Sequence, residues 1–317
     1  MDPLTHALVG MGVAALSGDK FALSNPMHLG AMLGALAPDL DIVLQLFGDV
    51  PYLTHHRGSS HSIPGVLVIS GIITAGLWLL MGGVNPGLIF IWTFLGALSH
   101  IALDIFNSYG AKILWPFSRK RYTLNLLVLA DPVIIVIFAV VIFWPGMSGL
   151  IAEAAFWLAV MYLGSRFYLR QRVHHMLERQ FAGDAIFRIV VMPAMVSLWN
   201  WSFLIETRDS YIIGEIRCFS PKPGIKKILE KVPLSPLIGK ALKSRMGQLF
   251  QSFTPYFHIS HCLEDGKHIV RFCDLRYFIR EDFLHSATVI FDETQTIIDA
   301  VFQPYNKNRK IRLPEGF

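Results

Sequence analysis

The chain has 317 residues, 53% of them hydrophobic and 16% charged, and a mean hydropathy of +0.47. That balance is too apolar for an ordinary soluble domain. The formal net charge of +5 is expected to report loops that face anionic lipid, and no nucleic-acid partner is expected from it.

Apolar residues dominate up to about Tyr168, and beyond it the composition is mixed. The expected fold is an α-helical polytopic membrane domain over residues 1–180, followed over residues 190–317 by an α+β cytoplasmic domain with an antiparallel β-meander. A bilayer crossing needs about 20 apolar residues. The first two runs, 4–16 and 28–47, fall short of this, one by length and the other because Pro38-Asp39-Leu40-Asp41 interrupts it. Each fits a short crossing, a re-entrant helix or a helix packed on the bundle. Clear spans are expected at 63–81, 86–106, 124–144 and 150–168, and the short run 189–203, which contains Pro193, is a candidate for docking on the membrane surface.

Basic residues give the orientation. Lys112, Arg119, Lys120 and Arg121 lie between the second and third clear spans, and Arg166, Arg170, Arg172 and Arg179 lie at or beyond the end of the fourth. The intervening loops near Asn85 and Gly146 carry no Lys or Arg. The positive-inside rule therefore puts the basic loops and the C-terminal domain in the cytoplasm of a multi-pass cell-membrane protein. The start, MDPLTHALVG, has no basic n-region of a signal peptide. Three cysteines, Cys218, Cys262 and Cys273, are an odd count in the expected cytoplasmic part and argue against a disulfide framework.

Beyond residue 192 the pattern becomes strand-like. WNWSFLIET and SYIIGEIRCF flank the turn RDS as a hairpin, a basic helical stretch is expected at 224–253 with a break at 233–236, and four apolar-alternating runs then read as a meander. The turn EDG before Lys267 is a strong hairpin signal. His258, His261 and His268 fit ordinary strand faces better than a site.

The chemistry-bearing residues lie upstream. His100 and Asp104 are one helical turn apart in FLGALSHIALDIF, so they share a helix face. An ionisable pair at membrane depth is a functional-site hypothesis by default, and imidazole with carboxylate makes a workable pair of metal ligands. A buried structural pair or a proton relay are the competing readings. Asn107 extends the face by a turn. His6 lies just inside a helix capped by Asp2, a position where ligation is less common than a plain structural role. Asp39 and Asp41 at a helix break can cap the next segment or aim oxygens at a cation. HHRGSSHS, residues 55–62, packs three imidazoles, the Arg57 guanidinium, a glycine and three hydroxyls ahead of a span. Asp131, before Pro132, reads as a helix cap, an ion partner of the basic loop, or a carboxylate supporting a histidine.

In combination, Thr5-His6, PDLD, HRGSSHS, HIALD and the Trp-Pro-Phe at 115–117 resemble the YdjM-type family of bacterial inner-membrane proteins, described as metal-dependent hydrolases. The resemblance covers roughly the first 120 residues and implies a hydrolase. FCDLRYF, further on, is similar to stretches in longer members. A more distant likeness joins these motifs to zinc-dependent phospholipase C and the single-strand nucleases. It implies His6, Asp39, His61, His100 and Asp104 as metal ligands, with His56 a further candidate. No second H-x-x-x-D follows Asp104, so one or two divalent ions, zinc being the expected one, replace a cluster of three. Such an ion lowers the pKa of bound water toward about 7. Whichever of Asp39 and Asp41 is not fully engaged by metal, Asp41 foremost, is then the candidate proton acceptor, and Arg57 the candidate stabiliser of charge on a phosphoryl or carboxyl oxygen. Position at the bilayer edge points to an amphiphilic or lipid-linked ester. The rival readings are a non-catalytic regulator that binds metal or lipid, and a proton-coupled transporter, which the featureless outer halves of the spans disfavour.

Overall fold

A computed structural model of the protein describes residues 1–47, 58–144, 149–183, 185–195, 197–220, 222–279, 281–304 and 310–313. Helices in an N-terminal region and antiparallel sheets in a C-terminal region form two compact units, which meet in sequence near residue 171.

The helical unit contains α1 (Pro3–Ala15), α2 (Pro26–Leu36), most of a 3-10 segment (Ala37–Phe47), a 3-10 turn (Ser59–His61), α3 (Ile63–Met81), α4 (Pro86–Phe106), α5 (Pro132–Phe143) and the first part of α6 (Gly149–Gln180). Five of these helices start by one rule: a polar residue caps the first turn and proline comes next or next but one. Asp2, Asn25, Ser62, Asn85 and Asp131 are the caps, each accepting a backbone N–H of the first turn.

Among the described residues three helices, α3, α4 and α6, are long and apolar enough to cross a membrane. α1 and α2, with 13 and 11 residues, rise only about 20 and 17 Å and pack within the bundle. The expected span over 124–144 is corrected. Its helix begins only at Pro132 and has 12 residues, about 18 Å against a hydrocarbon core of about 30 Å. Residues 107–127 are largely non-helical instead. Isolated bridges pair Asn107 with Leu127 and Ala111 with Tyr122, and Leu124 N–H donates to Ile105 O. Apolar content alone could not separate this return from helix.

Small residues set the central packing. A Cβ on Gly96 of α4 would lie 2.0 Å from the Ala31 carbonyl oxygen of α2, and one on Gly34 would lie 2.1 Å from the Thr93 carbonyl oxygen of α4. The two backbones are therefore in near contact, the approach that glycine permits between apolar helices.

The C-terminal unit holds two main sheets. Strands β1 (Ile186–Pro193), β2 (Asn200–Thr207), β3 (Ser210–Arg217) and β4 (Gly224–Glu230) form an antiparallel sheet in sequence order. This corrects two expectations. The run 189–203 is largely strand rather than a surface-docking segment, and 224–230 is an edge strand rather than the start of a basic helix. β3 leaves an edge that β4 pairs with, and Lys226 and Lys227 suit a solvent-facing edge. Helices α7 (Pro236–Lys243) and α8 (Arg245–Phe253) come next. They pack Leu237, Ala241, Leu249 and Phe250 onto Val270, Phe272, Val289 and Phe302 of the second sheet. That sheet comprises β5 (Phe257–Glu264), β6 (Lys267–Asp274), β9 (Ser286–Phe291), β10 (Ile297–Gln303) and β11 (Ile311–Arg312), with a small hairpin of β7 (Phe278–Ile279) and β8 (Asp282–Phe283) between β6 and β9. It is the expected meander. The β5–β6 turn has positive φ at both Asp265 and Gly266, the two left-handed residues of a type I′ hairpin.

Candidate metal centre

The close α2–α4 crossing delivers the Ala35 carbonyl to His100. Nδ1 of His100 lies 2.7 Å from Ala35 O, and since a carbonyl only accepts, Nδ1 carries the proton. The neutral ring then presents a lone pair at Nε2, the form a metal ligand takes. His100 Nε2 is 3.1 Å from His61 Nε2. His61 is brought there by the 3-10 turn Ser59–His61 just before α3.

Two carboxylates each close a triangle on this pair of nitrogens. Asp104 Oδ2 lies 3.4 Å from His61 Nε2 and 3.9 Å from His100 Nε2. Asp39 Oδ1 lies 3.2 Å from His61 Nε2 and 3.6 Å from His100 Nε2. Ligands of an ion at zinc–nitrogen bond lengths sit about 3.4 Å apart along a tetrahedral edge, and these separations bracket that value. His6 stacks on His100 with ring centroids 3.7 Å apart. Its Nε2 is 3.7 Å from Asp104 Oδ1 and 4.0 Å from Asp39 Oδ2. Its Nδ1 is buried and makes no hydrogen bond among the described residues.

His6, His61, His100 and Asp104 are fully buried, and Asp39 keeps a fifth of its side chain exposed. Burial alone would raise the Asp39 pKa. The hydrogen bond from His61 and the nearby imidazoles outweigh it and hold the carboxyl well below the usual carboxylate range, so this group is anionic at neutral pH. Five ligand-type side chains converging in a buried space, two of them carboxylates, are what a divalent cation would satisfy and what burial would otherwise penalise. The residues present fit a metal ion, and the overlapping triplets His6/Asp39/His100 and His61/His100/Asp104 each have their ligand atoms within 4.8 Å of one another.

Further groups surround the cluster. Asp41 Oδ2 lies 3.8 Å from Nδ1 of His61, the ring nitrogen that takes no part in the triangles. Ser60 Oγ links the two, at 3.0 Å from His61 Nδ1 and 3.3 Å from Asp41 Oδ2. Asn107, the C-cap of α4, donates from Nδ2 to Asp104 Oδ1 at 2.9 Å. Asp131 caps α5 and accepts from the Tyr162 hydroxyl at 3.0 Å; it is absent from both ligand triplets. His56 and Arg57 lie outside the described residues.

Two contributors were not legible in the sequence, and a third, Ser60, was marked only as one of the three hydroxyls of residues 55–62. The Ala35 carbonyl has no distinguishing side-chain signal. The Met1 amino group forms an ion pair with Asp104 Oδ1 and sits 2.9 Å from His6 Nε2; its placement is helped by Asp2 N–H bonding to Leu129 O. In the C-terminal unit, His261 Nε2 and His268 Nδ1 are 3.2 Å apart and exposed to solvent, while His258 bonds to Glu230 O. The three histidines do not come together there.

A bundle of apolar helices holding a buried His/Asp cluster, continued by an α/β domain, defines a membrane protein with a candidate metal site in its helical part. The model of the YdjM inner membrane protein family matches residues 1–173, and the chain belongs to that family. Residues 236–312 match a second model, the YfhP C-terminal alpha/beta plait domain. The chain is also similar to the uncharacterized protein YfhP of Bacillus subtilis (strain 168), 29% identical over 328 residues that cover 99% of each chain. No solved structure matches the chain.

Proposed function

We propose that the protein is a membrane-embedded, metal-dependent hydrolase. It acts on a phosphoester, or another ester, of an amphiphilic substrate at the cytoplasmic face of the membrane. The observation that carries this reading is the pair of triangles on His61 and His100. Their two Nε2 atoms are 3.1 Å apart, each faces Asp39 and Asp104, and the Ala35 carbonyl fixes the tautomer of His100.

His61, His100, Asp39 and Asp104 would hold the ion, with His6 completing the set; zinc suits this nitrogen-and-oxygen donor set. When bound, such an ion supplies Lewis acidity and a water of lowered pKa. The protein's own groups do the rest. Asp41 lies outside the ligand triangles and takes the role of proton acceptor, with Ser60 linking it to His61. Asn107 restrains Asp104 by a hydrogen bond from its amide to Oδ1, so the carboxylate presents Oδ2 to His61 and His100. Arg57 takes the role of stabilising charge on the substrate oxygen. The arginines and lysines at 112–121 and 166–179 support a cytoplasmic placement of this end of the bundle.

Elemental analysis of protein purified without a chelating tag, alongside His100→Ala and Asp104→Ala, tests the metal. Bound metal in the parent and its loss in both variants is the expected result. Unchanged metal in both folded variants overturns the reading. Hydrolysis is tested by turnover of a panel of lipid phosphoesters with and without chelator. Metal binding without chelator-sensitive turnover would leave a metal-binding regulator in place of an enzyme.

A further inference from the structure

The return segment 107–127 borders the candidate site at two points. Asn107, which holds Asp104, accepts the Tyr109 and Gly110 N–H groups on its Oδ1 at 2.7 and 3.2 Å. On the other side, Ile113 O accepts the N–H of Ile63, two residues after His61, at 3.0 Å. The Ala111–Tyr122 bridge draws the two limbs together, so Lys112 on one limb faces the stretch carrying Arg119, Lys120 and Arg121 on the other.

The Lys112 ammonium is pushed below its ordinary value by burial first, and then by the charges of Arg121 and Arg119. Arg121 Nη1 donates to Tyr109 O at 3.4 Å, and Lys120 lies over the Tyr122 ring at 5.5 Å. An anion arriving beside this ammonium and the two guanidinium groups is attracted by all three charges. Forked guanidinium donors with an ammonium match the several oxygens of a phosphate.

Between the limbs the tip is apolar and exposed. Phe117 is 88% exposed, and Leu114 and Trp115 are exposed beside it. The segment leaves α4 at the same end as the start of α3, which is the end of two candidate membrane spans. A Trp/Phe tip flanked by Lys and Arg is the composition of the membrane interface, where aromatic rings sit at headgroup depth and cations meet lipid phosphates.

We propose that the 107–127 segment is a phosphate-lipid binding element: Lys112, Arg119 and Arg121 grip the phosphate of an anionic lipid headgroup, and Trp115 and Phe117 enter the bilayer beside it. Resting on the hydrolase reading, this names the substrate class as a lipid phosphoester presented next to His61 and Asp104. The binding step itself needs no turnover.

The test is equilibrium binding to the full chain in detergent. The probes are dihexanoyl phosphatidic acid, dihexanoyl phosphatidylcholine and inorganic phosphate. Phosphatidic acid is expected to bind most tightly, and Lys112→Ala and Arg119→Ala are each expected to weaken it about ten-fold, with weakening also at high salt. Phe117→Ser should weaken the lipid and leave any binding of inorganic phosphate unchanged. Lys226→Ala, a cation on β4, controls for net charge, and unchanged melting midpoints confirm folding. Equal binding by the parent and the Lys112 and Arg119 variants overturns the proposal, as does phosphatidylcholine binding as tightly as phosphatidic acid. Inorganic phosphate binding as tightly as the lipid overturns the lipid assignment. Metal content measured on the same preparations separates this outcome from failure of the metal centre: lost lipid binding with retained metal, or the reverse, assigns the fault.

Discussion

Gly96→Ala should weaken metal binding although residue 96 contributes no ligand. A Cβ at this position would sit 2.0 Å from the Ala31 carbonyl oxygen, where ordinary contact begins at 3.4 Å. The atom struck is backbone, so no side chain can swing away, and α2 and α4 must part locally by roughly 1.4 Å. Ala35 lies one turn along α2 from Ala31, and His100 one turn along α4 from residue 96. The 2.7 Å bond between His100 Nδ1 and Ala35 O would then stretch beyond hydrogen-bonding range. Overpacking of this kind costs about 1–3 kcal/mol, and an orphaned buried N–H adds about 1–3 kcal/mol. Losing the group that orients a metal-ligating histidine lowers metal affinity about 10–100-fold. Competition against a chromophoric chelator gives the affinity, and thermal unfolding in detergent gives the stability. A folded Gly96→Ala protein with parental affinity for metal would refute the claim that helix proximity sets the His100 tautomer. Gly71→Ala, on α3 with open space around its would-be Cβ, is the control expected to change neither quantity.

Three other outcomes are expected. Chelator should lower the melting midpoint of the parent, because an ion bound only by the folded state stabilises it by mass action; His100→Ala should melt at one temperature with or without chelator. Asp274→Ala should destabilise the C-terminal unit by about 3–5 kcal/mol, since it leaves the Arg276 guanidinium buried without the carboxylate that now binds its Nε and Nη2 at 3.0 and 2.8 Å; denaturant unfolding reported by a probe in that unit measures it. His285 carries a pH dependence: burial, aided by Arg276 and opposed by Asp274, pushes its pKa down to about 4. The unfolded chain then binds a proton below about pH 6.5 that the folded chain refuses until about 4, so stability falls with pH across that window, by about 2 kcal/mol between pH 6.5 and 5. The difference between parent and His285→Gln, measured at pH 7.5 and 5, should shrink by that amount, and a constant difference would rule the mechanism out.

The candidate ligands stood out in the sequence wherever a polar group stood against an apolar background. His100 and Asp104 could be paired because helix period is fixed, and His6, Asp39 and His61 could be grouped with them through the resemblance of ordered motifs. Their meeting point was not readable, because it depends on a close α2–α4 crossing specified by Gly34 and Gly96, and a glycine in an apolar run has many uses. The same limit explains the 124–144 stretch. Its leucines satisfy a hydropathy window, while the actual fold uses Asp131 and Pro132 as a helix start and the residues before them as a non-helical return. In the C-terminal unit alternation found the meander and the Asp265–Gly266 turn. It failed at β4, where lysines on a strand edge mimic the basic face of a helix.

The DLRY sequence within FCDLRYF illustrates how a lineage mark can have a physical basis. Asp274 accepts from Thr254 Oγ1 and from the backbone N–H and guanidinium of Arg276, and Tyr277 packs edge-on to His285. A carboxylate buried at the end of β6 is tolerable only with that full set of donors, and the arginine is tolerable only with that carboxylate. The motif is therefore accounted for by folding of the plait. The polar residues of the helical unit differ in kind: His6, His61, His100, Asp39 and Asp104 leave imidazole and carboxylate atoms facing one another without a Lys or Arg among the five. The two buried polar clusters thus differ in composition: one carboxylate is closed by a neighbouring guanidinium, while the other cluster gathers three imidazoles and two carboxylates with the Met1 amino group as its protein cation.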